Sequence, residues 1–112
     1  MSKLPPPPVP EKLREMLKDY PELIQEIRDS LDGYAKKPNP LQPFDGALWL
    51  LEDTLSSFYS KARSELKAAE ASGDVQAIQN AKEKRLAIGR ASANLWVPDL
   101  RVYFEAHKEA FQ

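Results

Sequence analysis

Residues 44–93, FDGALWLLEDTLSSFYSKARSELKAAEASGDVQAIQNAKEKRLAIGRASA, decide the fold of this 112-residue chain. In the first half of this stretch, apolar residues recur at intervals of four and three residues, which is the spacing of a coiled-coil seam. The series is Phe44, Leu48, Leu51, Leu55, Phe58, Ala62, Leu66 and Ala69. It predicts a helix over residues 44–71 that would be about 40 Å long at the standard helical rise. Because a compact domain of this size is narrower than that, we expect part of the helix to project.

The segment Ser72-Gly73-Asp74 predicts a tight turn after this helix. Gly73 suits the left-handed residue that ends a helix, and Asp74 suits the N-cap of the next one. A second helix is predicted over residues 75–93, antiparallel to the first, with a broader and weaker apolar stripe. This stripe consists of Val75, Ile78, Ala81, Leu86, Ile88 and Ala93. The two helices together form a long αα-hairpin.

Prolines dominate the start of the chain. The run of prolines at residues 5–8 predicts an extended polyproline II arm over residues 1–9, because proline fixes φ and has no N–H group to donate. Such an arm is either a spacer or a ligand for proline-recognising domains. Pro10 follows it and suits the first residue of a short helix.

Further helices are predicted on both sides of the hairpin. Pro21 and Pro98 each suit the first residue of a helix, and apolar residues recur at helical spacing after both of them. Residues 10–112 are therefore predicted to be a single all-α domain, a small bundle of about five helices built on the antiparallel hairpin. We expect the flanking helices to bury Trp49 and Trp96 at the base of the hairpin.

The composition excludes several classes of protein. Lys and Arg total 16 against 17 for Asp and Glu, so no global field attracts the chain to nucleic acid or to an acidic membrane. The absence of cysteine excludes disulfide scaffolds and thiolate chemistry and fits the reducing cytoplasm. No apolar run approaches the length of a membrane span, and the N-terminus lacks the apolar segment of a secretory signal. We therefore expect a cytoplasmic protein with no membrane partner.

The inventory of reactive residues is too small to predict an enzyme. The chain has one histidine and no cysteine, and it contains neither a phosphate-binding glycine loop nor a His-Glu-x-x-His pair. His107 lies between Tyr103 and Phe111 on an apolar helix face, and an imidazole at the core edge is favoured there over a metal ligand or pH switch. We expect no catalytic residue, no cofactor, no metal site and no small-molecule substrate.

Two cations interrupt the apolar stripe of the second hairpin helix. Lys82 and Arg85 fall within the apolar arc, although an unpaired buried cation is costly. Either this arc faces solvent, or a carboxylate such as Glu65 or Asp53 pairs with Arg85.

The pattern leaves two hypotheses for function. The leading one is a protein interaction module, of the adaptor, regulator or inhibitor kind, that binds a partner or a second copy through the hairpin seam. The residues predicted to bind the partner are Leu51, Leu55, Phe58, Leu66 and Ile78. The alternative is nucleic-acid binding, in which Lys82, Arg85 and Arg90 contact phosphates.

Overall fold

The computed structural model describes residues 6–37, 42–93, 95 and 97–107. Within these ranges the chain forms five helices and no strand, which confirms the predicted all-α class. The helices are α1 (Glu11–Met16), α2 (Pro21–Lys36), α3 (Pro43–Ser72), α4 (Val75–Ala93) and α5 (Pro98–Ala106).

Helices α3 and α4 form the predicted antiparallel hairpin and pack along each other. Gly73 has a φ of 72°, and its N–H group donates to the carbonyl oxygens of Ala69 and Glu70 at the end of α3. The Asp74 carboxylate then accepts hydrogen bonds from the N–H groups of Gln76 at 3.0 Å and Ala77 at 3.3 Å. The turn therefore stops one helix and caps the next with its own residues.

The end of the N-terminal arm packs onto the bundle. Residues 6–10 have no regular secondary structure, and Val9 and Pro10 are buried. Arg14 Nε donates to the Val9 carbonyl oxygen at 3.1 Å. The prediction that Pro10 begins a helix is wrong by one residue, because Pro10 has the polyproline-like angles φ −53° and ψ 135° and α1 begins at Glu11. Residues 1–5 lie outside the described residues, so the role of the arm stays a prediction.

The core lies at one end of the hairpin. Helix α1 packs against α4, while α2 and α5 pack against α3. The largest fully buried side chains come from all five helices and from the two residues that flank α1, Pro10 and Leu17: Leu13, Leu17, Ile27, Leu31, Leu51, Leu55, Ile88, Leu100 and Pro10. The short helices therefore enclose the base of the hairpin.

The other end of the hairpin extends beyond this core. The molecule measures 55 × 24 × 21 Å, with a radius of gyration of 16.1 Å. A compact domain of this length would have a radius of gyration of about 13 Å. We refer to residues 63–87 as the distal hairpin, and none of these residues, all of which the structure describes, is buried.

Trp49 does not lie under the flanking helices, so the prediction of its burial is wrong. Its side chain is 55% exposed, and Glu52 and Asp53 on the next turn of α3 are exposed as well. The short helices cover the side of α3 that carries Leu51 and Leu55, which leaves the face with Trp49 open. Trp96 lies outside the described residues.

Candidate functional site

The five residues predicted to bind a partner divide between the core and the distal hairpin. Leu51, Leu55 and Phe58 are buried within the single chain, because the short helices pack over this part of the seam. They present no surface to a partner, which removes them from the candidate site. Leu66 and Ile78 are only partly buried and lie on facing helices of the distal hairpin. The candidate interaction surface therefore begins where the cover of the bundle ends.

The distal seam combines these two residues with small ones. Ala69 on α3, and Ala77 and Ala81 on α4, are partly buried as well. Small side chains allow two helices to approach closely, but a pair of helices cannot enclose both edges of its own seam. The distal hairpin thus exposes the edges of an apolar seam, which are the parts that a further helix would cover.

One ion pair joins α3 to α4 among the described residues of the distal hairpin. Lys84 Nζ lies 3.5 Å from Glu65 Oε2, and both side chains remain partly accessible. A pair of this kind contributes little to stability, about 0–1 kcal/mol. The hairpin is consequently held mainly by apolar packing.

Arg85 is hydrogen-bonded to a phenol, so the alternative in which Glu65 or Asp53 pairs with it is wrong. Its Nη1 atom donates to the Tyr59 hydroxyl at 3.2 Å. Glu65 contacts Lys84 instead, and Asp53 is exposed to solvent. Arg85 is partly buried, and its Nε atom is buried without a hydrogen-bond partner. A guanidinium in this position is incompletely hydrogen-bonded.

Beside Arg85 lies a shallow groove of about 260 Å³ between α3 and α4, which we call the Arg85 groove. It is lined by Tyr59, Arg85, Leu86, Gly89, Arg90 and Ala93. Leu86 is 50% exposed, which makes it one of the large apolar side chains that the described surface presents to solvent. A Cβ atom added at Gly89 would lie 3.7 Å from the Tyr59 ring, so the floor of the groove has room for a small side chain.

A second groove, of about 410 Å³, lies on the other side of Leu86, and we call it the α1 groove. Its lining residues are Glu15, Met16, Lys18, Asp19, Tyr20, Glu83, Leu86, Ala87 and Arg90. Burial, followed by the nearby carboxylates of Glu83, Asp19 and Glu22, raises the pKa of the Tyr20 hydroxyl. The α1 groove therefore contains several carboxylates, whereas both charged residues of the Arg85 groove are arginines.

The three residues of the nucleic-acid hypothesis do not form one exposed basic patch. Lys82 and Arg90 are exposed, whereas Arg85 is partly buried against Tyr59. Glu83 lies between them along the helix and accepts a hydrogen bond from Gln79. Nucleic-acid binding stays a prediction.

The remaining predicted features are placed as follows. His107 follows α5, is partly buried, and its ring centroid lies 4.8 Å from that of Tyr103. In the part of the chain that the structure describes, no three His, Asp or Glu residues come together as a set of metal ligands. Nor does any described helix combine the length and apolar character needed to cross a bilayer.

Gly89 allows the Arg85 groove to be altered without unfolding the chain. Gly89→Ala and, as a matched control away from the groove, Gly33→Ala each replace a helical glycine that has room for a methyl group. Each is expected to raise the free energy of unfolding by about 1 kcal/mol, and the midpoint of thermal unfolding by roughly 4 °C. Circular dichroism during heating measures both. If Gly89→Ala lowers the stability and Gly33→Ala does not, the groove has no room for a methyl group at residue 89.

Comparisons with protein-family models, with curated proteins and with solved structures found no match for this chain. The fold and the site define a structural class, all-α proteins with a projecting antiparallel hairpin. Within that class, function is inferred from the surfaces that the hairpin presents.

Proposed function

We propose that this protein is a non-enzymatic interaction module, an adaptor, regulator or inhibitor, that binds a protein through its distal hairpin. The partner is a second copy of the chain or another protein. One observation supports the proposal: a seam with coiled-coil spacing continues past the bundle into residues 63–87, where no residue is buried. Apolar seams of this kind serve as docking faces for amphipathic helices.

The energetics of isolated helices support the same proposal. A two-helix arm with small alanines along its seam buries little apolar surface, and helices without tertiary cover are only marginally stable in water. A partner that covers Leu66 and Ile78 would increase the apolar area removed from water. Binding would therefore stabilise the distal hairpin as well as join the two molecules.

The proposal also places the protein in the cytoplasm. The chain contains no cysteine, so nothing in it depends on an oxidising compartment. A fluorescent fusion that accumulated in another compartment would contradict this part of the proposal without affecting the hairpin.

The double variant Leu66→Lys and Ile78→Lys is expected to abolish association. Two charged side chains at the distal seam would have to be desolvated on binding, which is unfavourable without partners. Sedimentation equilibrium over a range of concentrations measures self-association. Affinity capture that compares this variant with the wild type measures binding to another protein.

One single variant serves as a matched control. Val102→Lys places a lysine on α5, at a valine that is 67% exposed and lies outside the distal hairpin. It is expected to associate as the wild type does. Two results together would overturn the proposal. The first is that the wild-type chain is monomeric at every concentration, and the second is that it captures no protein that the double variant fails to capture.

A further inference from the structure

In the Arg85 groove, Arg85 carries a positive charge that no carboxylate of the described residues pairs with. Arg85 donates to the neutral hydroxyl of Tyr59, and its buried Nε has no hydrogen-bond partner. Within the described residues, no carboxylate oxygen lies within ion-pair distance of its guanidinium. Removing a cation from water is unfavourable unless hydrogen bonds and an opposite charge compensate. The groove therefore favours an occupant that supplies a carboxylate.

The walls of the groove favour an apolar group beside that carboxylate. The Tyr59 ring, Leu86, Gly89 and Ala93 all line it. Gly89 and Ala93 are one helical turn apart, so a partner side chain can approach the backbone of α4 there. Leu86, half exposed, adds an apolar wall that a bound side chain would cover.

The charged residues near Leu86 also restrict the sign of the charge that an occupant of the groove can carry. The α1 groove on one side of Leu86 contains the carboxylates of Glu15, Asp19 and Glu83 together with two cations. Arg90 lines both grooves, so Arg85 is the charged residue that lines the Arg85 groove alone, and no carboxylate is among the lining residues described there. Electrostatic complementarity of this kind selects acidic partners and rejects basic ones.

We propose that the Arg85 groove binds an acidic amphipathic segment of a protein partner. The segment places a large apolar side chain against Gly89 and Ala93, and a Glu or Asp carboxylate accepts hydrogen bonds from the Arg85 guanidinium. This inference rests on the proposed function, because it names the chemistry of the partner that the hairpin binds. Arginine suits this role because its planar guanidinium presents paired N–H donors that match a carboxylate.

The test is an NMR titration of the isotope-labelled full chain with three blocked synthetic helical peptides. All three have the same row of leucines, and the flanking positions are Glu in the first, Gln in the second and Lys in the third. The Glu peptide is expected to shift the backbone signals of Tyr59, Leu86 and Gly89 and the side-chain Nε–H signal of Arg85. The Gln peptide is expected to bind about tenfold more weakly or worse, since hydrogen bonds to charged groups are the stronger ones. The Lys peptide is expected not to bind.

Variants of the chain separate the contribution of charge to peptide binding from the contribution of the shape of the groove. Arg85→Gln is expected to weaken binding of the Glu peptide about tenfold, and Gly89→Met is expected to block the groove while the fold is kept. Lys82→Gln is the matched control, because Lys82 is an exposed cation on the same helix that does not line the groove. It is expected to change the affinity by less than about threefold. Arg85→Lys keeps the charge and is expected to bind more weakly than the wild type, because it loses the paired donors.

Each contrary outcome overturns the inference. Equal binding of the Glu and Gln peptides would remove the role of charge, and no shift at the groove with any peptide would remove the site. If hexanoate shifts the groove signals and the Glu peptide does not, the groove binds a small acid and no protein segment. If dilution alone shifts the same signals, a second copy of the chain occupies the groove. Association that depends on Leu66 and Ile78, together with no binding of the Glu peptide, would overturn this inference and leave the proposed function intact.

Discussion

Replacing Gly46 with alanine is expected to lower the free energy of unfolding by about 2 kcal/mol, although alanine is the better helix former. A Cβ atom at this position in α3 would overlap the Tyr34 hydroxyl and lie 2.9 Å from the Tyr34 Cζ atom. The hydroxyl donates to the Pro43 carbonyl oxygen at 2.7 Å, and the ring contacts Phe104 edge to face with centroids 6.1 Å apart. The tyrosine cannot move away without weakening these contacts. Urea unfolding followed by circular dichroism measures the loss.

A second substitution tests the cause of that loss. Tyr34→Phe removes the hydroxyl that a methyl group at residue 46 would overlap, although it also removes the hydrogen bond to Pro43. The double variant is therefore expected to be more stable than the sum of the two single effects predicts. Gly33→Ala, which has open space around it, is the control for helix propensity. A Gly46→Ala protein as stable as the wild type would show that Tyr34 does not occupy this position.

Local chemistry is the part of the fold that the sequence predicts well. The spacing of apolar residues predicts α3, and the chemistry of Gly73 and Asp74 predicts the turn and the start of α4. These features depend on residues that are neighbours along the chain. The length of α3 relative to the size of the chain likewise predicts that part of the hairpin extends beyond the core.

The sequence pattern does not predict which helix faces the other elements of the fold cover. The same seam contains Leu55, which is buried, and Leu66, which is partly exposed, and the spacing does not distinguish them. The difference arises because the short helices pack around the base of the hairpin only. The exposure of Trp49 has the same cause, since its face of α3 lies away from those helices. Apolar periodicity identifies the faces of a helix and does not say which of them another element covers.

The pairing of Arg85 could not be predicted for a related reason. In an antiparallel hairpin, residues that are equally far from the turn along the two helices lie side by side. By this count, both Glu65 and Tyr59 lie within about one helical turn of the position opposite Arg85. The rotation of α4 about its axis then decides between them, and it directs Lys84 to Glu65 and Arg85 to Tyr59. The only sequence signal for the Arg85 groove was the presence of a cation within an apolar arc.

Stability is expected to be concentrated at the base of the hairpin. Leu55→Ala should lower the free energy of unfolding by about 3 kcal/mol, because Leu55 has no exposed surface and its removal leaves a cavity in the core. Leu66→Ala makes the same chemical change on the same helix, and it is expected to cost about 1 kcal/mol or less, because Leu66 is only partly buried.

Urea unfolding of the two leucine variants, with the slope of the transition compared between them, measures this difference. A large effect at Leu55 with a small effect at Leu66 would show that the stability of the core does not depend on the distal hairpin. The distal part of the seam could then bind and release a partner without unfolding the chain. Similar effects at both positions would show that the distal seam is as well covered as the core. In that case residues 63–87 would have no incompletely covered apolar edge to offer a partner, and the proposed function would lose its main support.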